Sequence, residues 1–243
     1  MLRHFLLLSV MLAFPASAPA SAQDGARYGR CLDMAEKNAA SALSEANGWA
    51  KSGGGMAAGH CAAIALTKLR RYDEAATRLD ALARAQSTPG DMRGELFSQA
   101  GNAWLLAGNG RKAVLSLQAA LTLLGGDPDV YADLGRAEAM IRNWRDAVLH
   151  LNAALEARPK RHDLLLLRAS AQRALRQYRP ALTDLNAALK LKPGDAAVLM
   201  ERGLLRKDLG DLGGARTDFA QAQKNGSPSV KREAAEALDG LKE

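Results

Sequence analysis

Apolar residues recur along most of the chain at steps of three and four, the spacing that places side chains on one face of an α-helix. Ala147, Leu151 and Ala154 form one such set, and an earlier apolar segment surrounds Gly135. Residues 142–144 lie between these two segments and interrupt the pattern with residue types suited to a helix end and a turn. The pattern therefore predicts pairs of short helices joined by tight turns.

The helical pairs repeat every 34 residues, and a fixed period of this kind is typical of stacked repeat architectures. Small residues allow two helix backbones to approach closely, and a large residue opposite them fills the remaining space. We therefore expect burial between helices for the columns that keep this spacing. These columns are Ala113, Ala147, Ala181 and Ala215; Gly101, Gly135, Ala169 and Gly203; Ala120, Ala154, Ala188 and Ala222; and Leu117, Leu151, Leu185 and Phe219.

The repeat resembles the tetratricopeptide repeat, a 34-residue helix-turn-helix family with a small residue in the first helix, an alanine opening the second and a proline at the exit. Pro159 and Pro193 occupy the exit position. The resemblance implies an all-α fold, a right-handed superhelical solenoid of helix-turn-helix repeats with helical caps. It places five repeats and a C-terminal capping helix at residues 56–89, 94–127, 128–161, 162–195, 196–229 and 230–243.

The segment before the first repeat is more divergent. Residues 23–55 carry apolar side chains at steps of three and four and end in three glycines, which predicts a degenerate helical cap. Four residues beyond the regular period separate Ala75 from Ala113. We therefore expect a longer loop at residues 86–91.

The first 22 residues have the pattern of a secretory signal peptide, with Arg3, an apolar block at residues 5–14 and small residues spaced Ala-x-Ala. We expect cleavage after Ala22 and export, most simply to a bacterial periplasm. A helix of about ten residues rises ~15 Å, which is short of the ~30 Å hydrocarbon core, so we do not expect a membrane-spanning protein. An uncleaved anchor or a buried first helix is the alternative.

Cys31 and Cys61 are the two cysteines of the chain. In an oxidising compartment, an isolated pair indicates a disulfide rather than a metal or redox site. Two buried free thiols are the alternative. A disulfide would fasten the N-terminal cap to the first repeat.

Two further columns, sixteen residues apart, vary together: Ala100, Leu134, Arg168 and Arg202 in the first, and Ser116, His150, Asp184 and Asp218 in the second. A half-buried arginine between helices is strongly destabilising unless it is paired. The aspartates occur in the same repeats as the arginines. We therefore predict structural ion pairs between Arg168 and Asp184 and between Arg202 and Asp218, with coincidence as the alternative.

The formal net charge is +7, but the basic residues are scattered among acidic ones and aromatic residues make up only 5% of the chain. This pattern indicates a solvated basic surface and no nucleic-acid binding. The glycine runs lack the lysine and hydroxyl residue of a phosphate loop. His60, His150 and His162 have no partner at metal-ligand spacing, since Cys61 is adjacent to His60 and faces another way. We expect no metal, no cofactor and no enzyme active site; an enzymatic function would require an unforeseen cluster of buried ionisable groups.

In tetratricopeptide proteins the first helices of successive repeats line a concave groove that receives a peptide or a partner helix. The resemblance therefore implies a non-catalytic scaffold or adaptor that binds a protein partner. Arg136, Arg173 and Lys207 would favour an acidic stretch on that partner. A binding module for an anionic envelope polymer is the alternative, suggested by the positive charge. Carried over by position, the groove would be lined by Ser98, Asn102, Leu105, Ala132, Asp133, Arg136, Leu166, Ser170, Arg173, Met200, Glu201, Leu204 and Lys207.

Overall fold

The computed structural model describes residues 20–241, and all regular secondary structure within this range is α-helical. Residues 1–19 of the predicted signal peptide lie outside it. No helix of the described range combines the length and apolarity that a membrane crossing requires. The helices are α1 (Ala20–Lys37), α2 (Ala39–Lys51), α3 (Gly55–Lys68), α4 (Tyr72–Arg84), α5 (Gly90–Leu106), α6 (Gly110–Leu124), α7 (Pro128–Met140), α8 (Trp144–Ala157), α9 (His162–Ala174), α10 (Tyr178–Leu191), α11 (Ala196–Asp208), α12 (Leu212–Asn225) and α13 (Pro228–Asp239).

Consecutive helices pack against each other from one end of the described chain to the other, which gives a solenoid of helical pairs. Five pairs, from α3–α4 to α11–α12, form repeats 1 to 5. Helices α1 and α2 form an N-terminal pair, and α13 packs on the last repeat as a closing helix. The all-α repeat fold expected from the sequence is confirmed.

The small-residue columns lie at the contacts between the two helices of each repeat. A side-chain carbon added to Gly135 would lie 2.5 Å from Leu151, and one added to Gly203 would lie 2.5 Å from Phe219. Both large residues are fully buried, as are the alanines of the second helices. The glycine column therefore makes room for the large residue sixteen positions later, which explains why the two columns recur together.

The turn inside each repeat contains a residue in the left-handed conformation at the equivalent position. Gly108 and Gly210 hold it with φ of 76° and 80°, and Arg70, Arg142 and Arg176 hold it with φ near 60°. The backbone N–H of the following residue donates to a carbonyl near the end of the first helix, as Asn143 does to Glu138 at 2.9 Å. This closing bond is the Schellman form of helix end. In three repeats, an arginine therefore adopts the left-handed conformation, which is energetically unfavourable for a residue with a side chain.

The four extra residues between repeats 1 and 2 lengthen a helix rather than forming the long loop expected at residues 86–91. The connection is only one or two residues longer than those between the later repeats. Helix α5 begins at Gly90 and has 17 residues, whereas α7 has 13. Only residues 85–89 connect α4 to α5. The Thr88 hydroxyl donates to the Leu82 carbonyl at 2.6 Å, which satisfies a carbonyl at the end of α4 within this short link. The extra turn of α5 carries Met92 and Arg93.

A disulfide joins Cys31 of α1 to Cys61 of α3, with both cysteines buried. The N-terminal pair is also held by Lys68, whose ammonium group lies 2.7 Å from the Glu36 carboxylate. The closing helix at the other end begins with Pro228 in its first turn, two residues earlier than the sequence suggested. Proline is well tolerated at this position because the first N–H groups of a helix have no intrahelical partner.

The two arginines of the charged column bridge helices. Arg168 donates from Nε and Nη2 to Asp184, both at 2.7 Å, and from Nη1 to Asn152 of the preceding repeat at 2.9 Å. Arg202 donates in the same way to Asp218, at 2.9 and 2.7 Å, and to Asn186 of the preceding repeat. Each guanidinium therefore links the two helices of its own repeat and also reaches the repeat before it.

Polar links of this kind also join repeat 1 to repeat 2, where Asp80 accepts hydrogen bonds from the Trp104 indole and the Ser116 hydroxyl, both at 2.8 Å. The junction between repeats 2 and 3 differs. Within the described residues, no hydrogen bond or ion pair between side chains crosses it. Val130 and Leu134 of α7 join the apolar core of repeat 2 there. Repeats 2 and 3 are therefore held together by apolar packing.

Candidate functional site

The first helices of successive repeats line one face of the solenoid, and this face contains two depressions. The first, here called the N-terminal pocket, lies between α1, α3 and α5. The second, here called the C-terminal groove, lies between α7, α9, α11 and α13. Both depressions are built mainly from the first helices of consecutive repeats, with α1 added to the first and α13 to the second.

The C-terminal groove has a volume of about 540 Å³. Leu166, Met200 and Leu204 supply its apolar surface, and Arg136, Ser170 and Glu201 supply polar groups. All six were expected from the sequence to lie in the groove, and the structure brings them together. Volumes of roughly 300 to 1,000 Å³ are typical of ligand-sized sites. The groove is also bordered by Val230 and Glu233 of the closing helix.

Arg136 is already neutralised by acidic neighbours. Its guanidinium donates to Asp133 at 2.6 Å and to Asp163 of the next repeat at 2.9 Å. Arg161 also binds Asp163, and its hydrogen bonds, with the nearby positive charge of Arg136, lower the pKa of that carboxyl to about 2. This part of the groove therefore holds a chain of internal ion pairs.

Arg173 is paired in the same manner, with Glu201 at 2.7 Å and with Asp208 at 3.0 Å. Both carboxylates belong to the next repeat. Because Arg136 and Arg173 each contact two carboxylates, the structure does not support the expectation that they attract an acidic stretch of a partner. Lys207 is exposed near the end of α11.

Not every predicted groove residue borders the groove. Ala132 is 1% exposed and packs in the apolar core of repeats 3 and 4, so its assignment to the surface was wrong. The helical register places it on the side of α7 that faces the second helices. Asn102 is exposed on α5 and lines neither depression, and Ser98 and Leu105 are partly buried on the same helix.

The N-terminal pocket was not predicted. It has a volume of about 350 Å³. Its exposed surface is mainly apolar, although several lining residues carry charged or polar groups. The lining residues are Asp24, Gly25, Tyr28, Met56, Ala57, His60, Met92, Glu95, Leu96 and Gln99.

His60 holds the three walls of this pocket together. Its Nδ1 lies 2.6 Å from the Tyr28 hydroxyl of α1, and its Nε2 lies 2.7 Å from the Gln99 side-chain oxygen of α5. A neutral imidazole satisfies both contacts when Nε2–H donates to Gln99 and Nδ1 accepts from Tyr28. Burial raises the pKa of Tyr28, which keeps its hydroxyl protonated as a donor. His60 therefore has a structural role in this pocket.

Glu138 is the acidic side chain buried most completely outside the charged columns, at 2% exposure. Burial raises its pKa, while a hydrogen bond from the Asn143 amide at 2.9 Å opposes that rise. It lines neither depression. In residues 20–241, no group of three His, Cys, Asp or Glu side chains has the arrangement of a metal site.

No protein-family model matches the chain, and no curated protein matches it. Several solved structures are similar to the chain. A MamA double mutant (RS-1 ArsTM) has a TM-score of 0.61 at 19% identity, over 70% of this chain and 91% of that one. MamA from Desulfovibrio magneticus RS-1 has a TM-score of 0.58 at 21% identity, over 68% and 89%. YrrB, described as a TPR protein with an unusual peptide-binding site, has a TM-score of 0.62 at 16% identity, over 76% and 91%. The chain therefore has the tetratricopeptide-repeat fold.

Proposed function

We propose that this protein is an exported, non-catalytic scaffold that binds a protein or peptide partner on the face lined by the first helices. The observation that carries the proposal is the pair of depressions on this face. One lies between α1 and the first helices of repeats 1 and 2, and the other lies between the first helices of repeats 3 to 5 and α13. Stacked repeats of this kind provide an extended surface for a partner segment. The similarity to YrrB, described as having a peptide-binding site, supports a peptide ligand.

Export is supported by two features. Residues 1–22 have the pattern of a signal peptide. Cys31 and Cys61 form a disulfide, which persists in oxidising compartments such as the bacterial periplasm and is rare in the cytosol. Both features favour a periplasmic scaffold over an intracellular one.

The ion pairs of the binding face bear on the charge of the partner. An acidic partner segment or an anionic envelope polymer would require free cations along the binding face. Arg136 and Arg173 are occupied by internal carboxylates, so this face offers less positive charge than the sequence suggested. A protein partner is therefore favoured over an anionic polymer.

Site-specific photo-crosslinking in the native envelope tests the proposal. A photoreactive residue at Ser170 probes the C-terminal groove and one at Tyr28 probes the N-terminal pocket. The same residue at Thr183, exposed on the second helix α10, serves as the matched control. We expect discrete protein adducts from one or both probes on the first-helix face and none from Thr183. Adducts from Thr183 alone, or from no position, would contradict the proposal.

A further inference from the structure

The N-terminal pocket combines a mainly apolar surface with two carboxylates. Asp24 of α1 and Glu95 of α5 are both exposed at its lining. Neither takes part in a hydrogen bond or an ion pair within the described residues. Met56 and Met92, whose side chains are adaptable in shape, provide part of the apolar surface between them.

Glu95 stands in a repeat column whose other acidic members are paired. One repeat later the column holds Asp129, and two repeats later it holds Asp163. Asp129 forms an ion pair with Arg158. Asp163 forms ion pairs with Arg136 and Arg161. Both later carboxylates of the column are therefore covered by arginines of the chain, although these arginines occupy different positions in the two repeats.

At Glu95, two of the three equivalent arginines are missing. The position equivalent to Arg158, 34 residues earlier, is Leu124. The position equivalent to Arg136, two repeats earlier with the four extra residues counted, is Ile64. Both replacements are apolar and cannot pair with a carboxylate.

The third equivalent residue is an arginine that points elsewhere. Arg93 precedes Glu95 by two positions, as Arg161 precedes Asp163. Its Nε donates to the Ala83 carbonyl at 3.0 Å, at the end of α4. The guanidinium is thus engaged by the preceding repeat, and Glu95 keeps an unpaired charge beside an apolar cavity.

We propose that the N-terminal pocket receives a large apolar side chain of the partner, with a lysine or arginine within one helical turn of it that pairs with Glu95, assisted by Asp24. This inference rests on the proposed function and names the chemistry of the partner. The apolar side chain replaces water over Met56 and Met92, and the basic group replaces the arginine that the repeat lacks. The segment recognised here is basic and apolar. Its charge is opposite to that of the acidic partner stretch that the groove arginines were expected to attract.

The test uses the full chain expressed with its own leader. Intact mass spectrometry establishes whether residues 1–22 have been cleaved from the purified protein. A phage-displayed library of random twelve-residue peptides is selected on it, and enriched peptides are synthesised with a fluorescent label. Their affinities are measured by fluorescence anisotropy for four proteins: the unchanged chain, Glu95→Gln, Glu95→Arg and Asp129→Asn. Asp129→Asn is the matched control, because it alters the same repeat column at a carboxylate that is already paired.

We expect enriched peptides to carry a large apolar residue close to a lysine or arginine. Glu95→Gln should weaken them about two- to fivefold, as a partly exposed ion pair allows. Glu95→Arg should weaken them by about tenfold or more, because like charges then face each other. Asp129→Asn should leave their affinity unchanged. A peptide with glutamate in place of its basic residue should bind the Glu95→Arg variant better than the unchanged chain.

Other results would overturn the inference. In one such result, enriched peptides bind all four proteins equally and lose affinity for a Ser170→Trp variant of the C-terminal groove. This result would leave the proposed function intact and assign peptide binding to the groove. No enriched peptide together with no crosslinked partner would overturn both. A dimer that Glu95→Arg dissociates would assign the pocket to a second copy.

Discussion

Arg168 and Arg202 occupy equivalent positions in repeats 4 and 5, but their aspartates have different numbers of partners. Asp184 accepts hydrogen bonds from Arg168 alone among the described residues. Asp218 accepts two from Arg202 and a third from Arg206 Nη1 at 2.9 Å. We therefore predict that Arg168→Leu destabilises the fold more than Arg202→Leu does.

The magnitude follows from the burial of the aspartates. Removing one member of a buried ion pair leaves the other charge without a partner and costs about 3 to 5 kcal/mol. The Asp184 side chain is 7% exposed, so Arg168→Leu should fall near the lower end of this range. Asp218 is 1% exposed but keeps Arg206, so Arg202→Leu should cost about 1.5 to 3 kcal/mol, the value for lost hydrogen bonding to a charged group.

Urea unfolding followed by far-ultraviolet circular dichroism measures these free energies, and hydrogen exchange localises the loss, because helical solenoids can unfold in parts. The double variants Arg168→Leu/Asp184→Leu and Arg202→Leu/Asp218→Leu supply the control. Each removes both charges of its pair and corrects for the different places of repeats 4 and 5 in the solenoid. In repeat 5, Arg206 keeps Asp211 as an acidic neighbour at 3.7 Å. Equal losses for the two single variants after this correction would refute the reasoning.

Three further predictions concern the backbone, a buried acid and the disulfide. Gly108→Ala should lower the unfolding free energy by about 1 kcal/mol, and Arg142→Gly should raise it by up to about 1 kcal/mol, because both residues have positive φ; changes of equal sign in urea unfolding would contradict this. The charged form of Glu138 is disfavoured in the folded state, so its stabilising contribution is complete below its ordinary pKa of 4.5 and is lost as pH rises through the raised pKa. Glu138→Gln should therefore flatten the stability profile above pH 4.5, and a profile parallel to that of the unchanged chain would contradict this prediction. Cys31→Ser/Cys61→Ser should lose about 3 to 4 kcal/mol by the loop-closure estimate, with increased hydrogen exchange in α1; a reductant should reproduce the loss in the unchanged chain and have no effect on the variant.

The architecture could be predicted because its determinants are local and repeated. Gly135 must leave room for Leu151, and this requirement recurs at Gly203 and Phe219, so it appears in the sequence as a fixed spacing. The arginine and aspartate columns gave a further signal, since a charge introduced at a helix interface requires a partner. In both cases, comparing equivalent positions in successive repeats identified the interacting residues.

The candidate site was predicted only in part, because its features depend on departures from the repeat. The extra turn of α5 brings Met92 to the N-terminal pocket, and the divergent α1 supplies Tyr28. Neither position belongs to a repeat column. The charge of the C-terminal groove was misjudged because the partners of Arg136 and Arg173 lie 27 and 28 residues away, in the next repeat, and a column analysis does not compare those positions.

The junction between repeats 2 and 3, which no hydrogen bond between side chains of the described residues crosses, has a mechanical consequence. Apolar packing is non-directional, so this junction resists separation but offers less resistance to bending than the neighbouring junctions, whose hydrogen bonds fix an angle. Gly125 and Gly126, both with positive φ, form the connection there and add little stiffness. The N-terminal pocket and the C-terminal groove lie on opposite sides of this compliant point. A partner long enough to occupy both would therefore set the curvature of the solenoid as it binds.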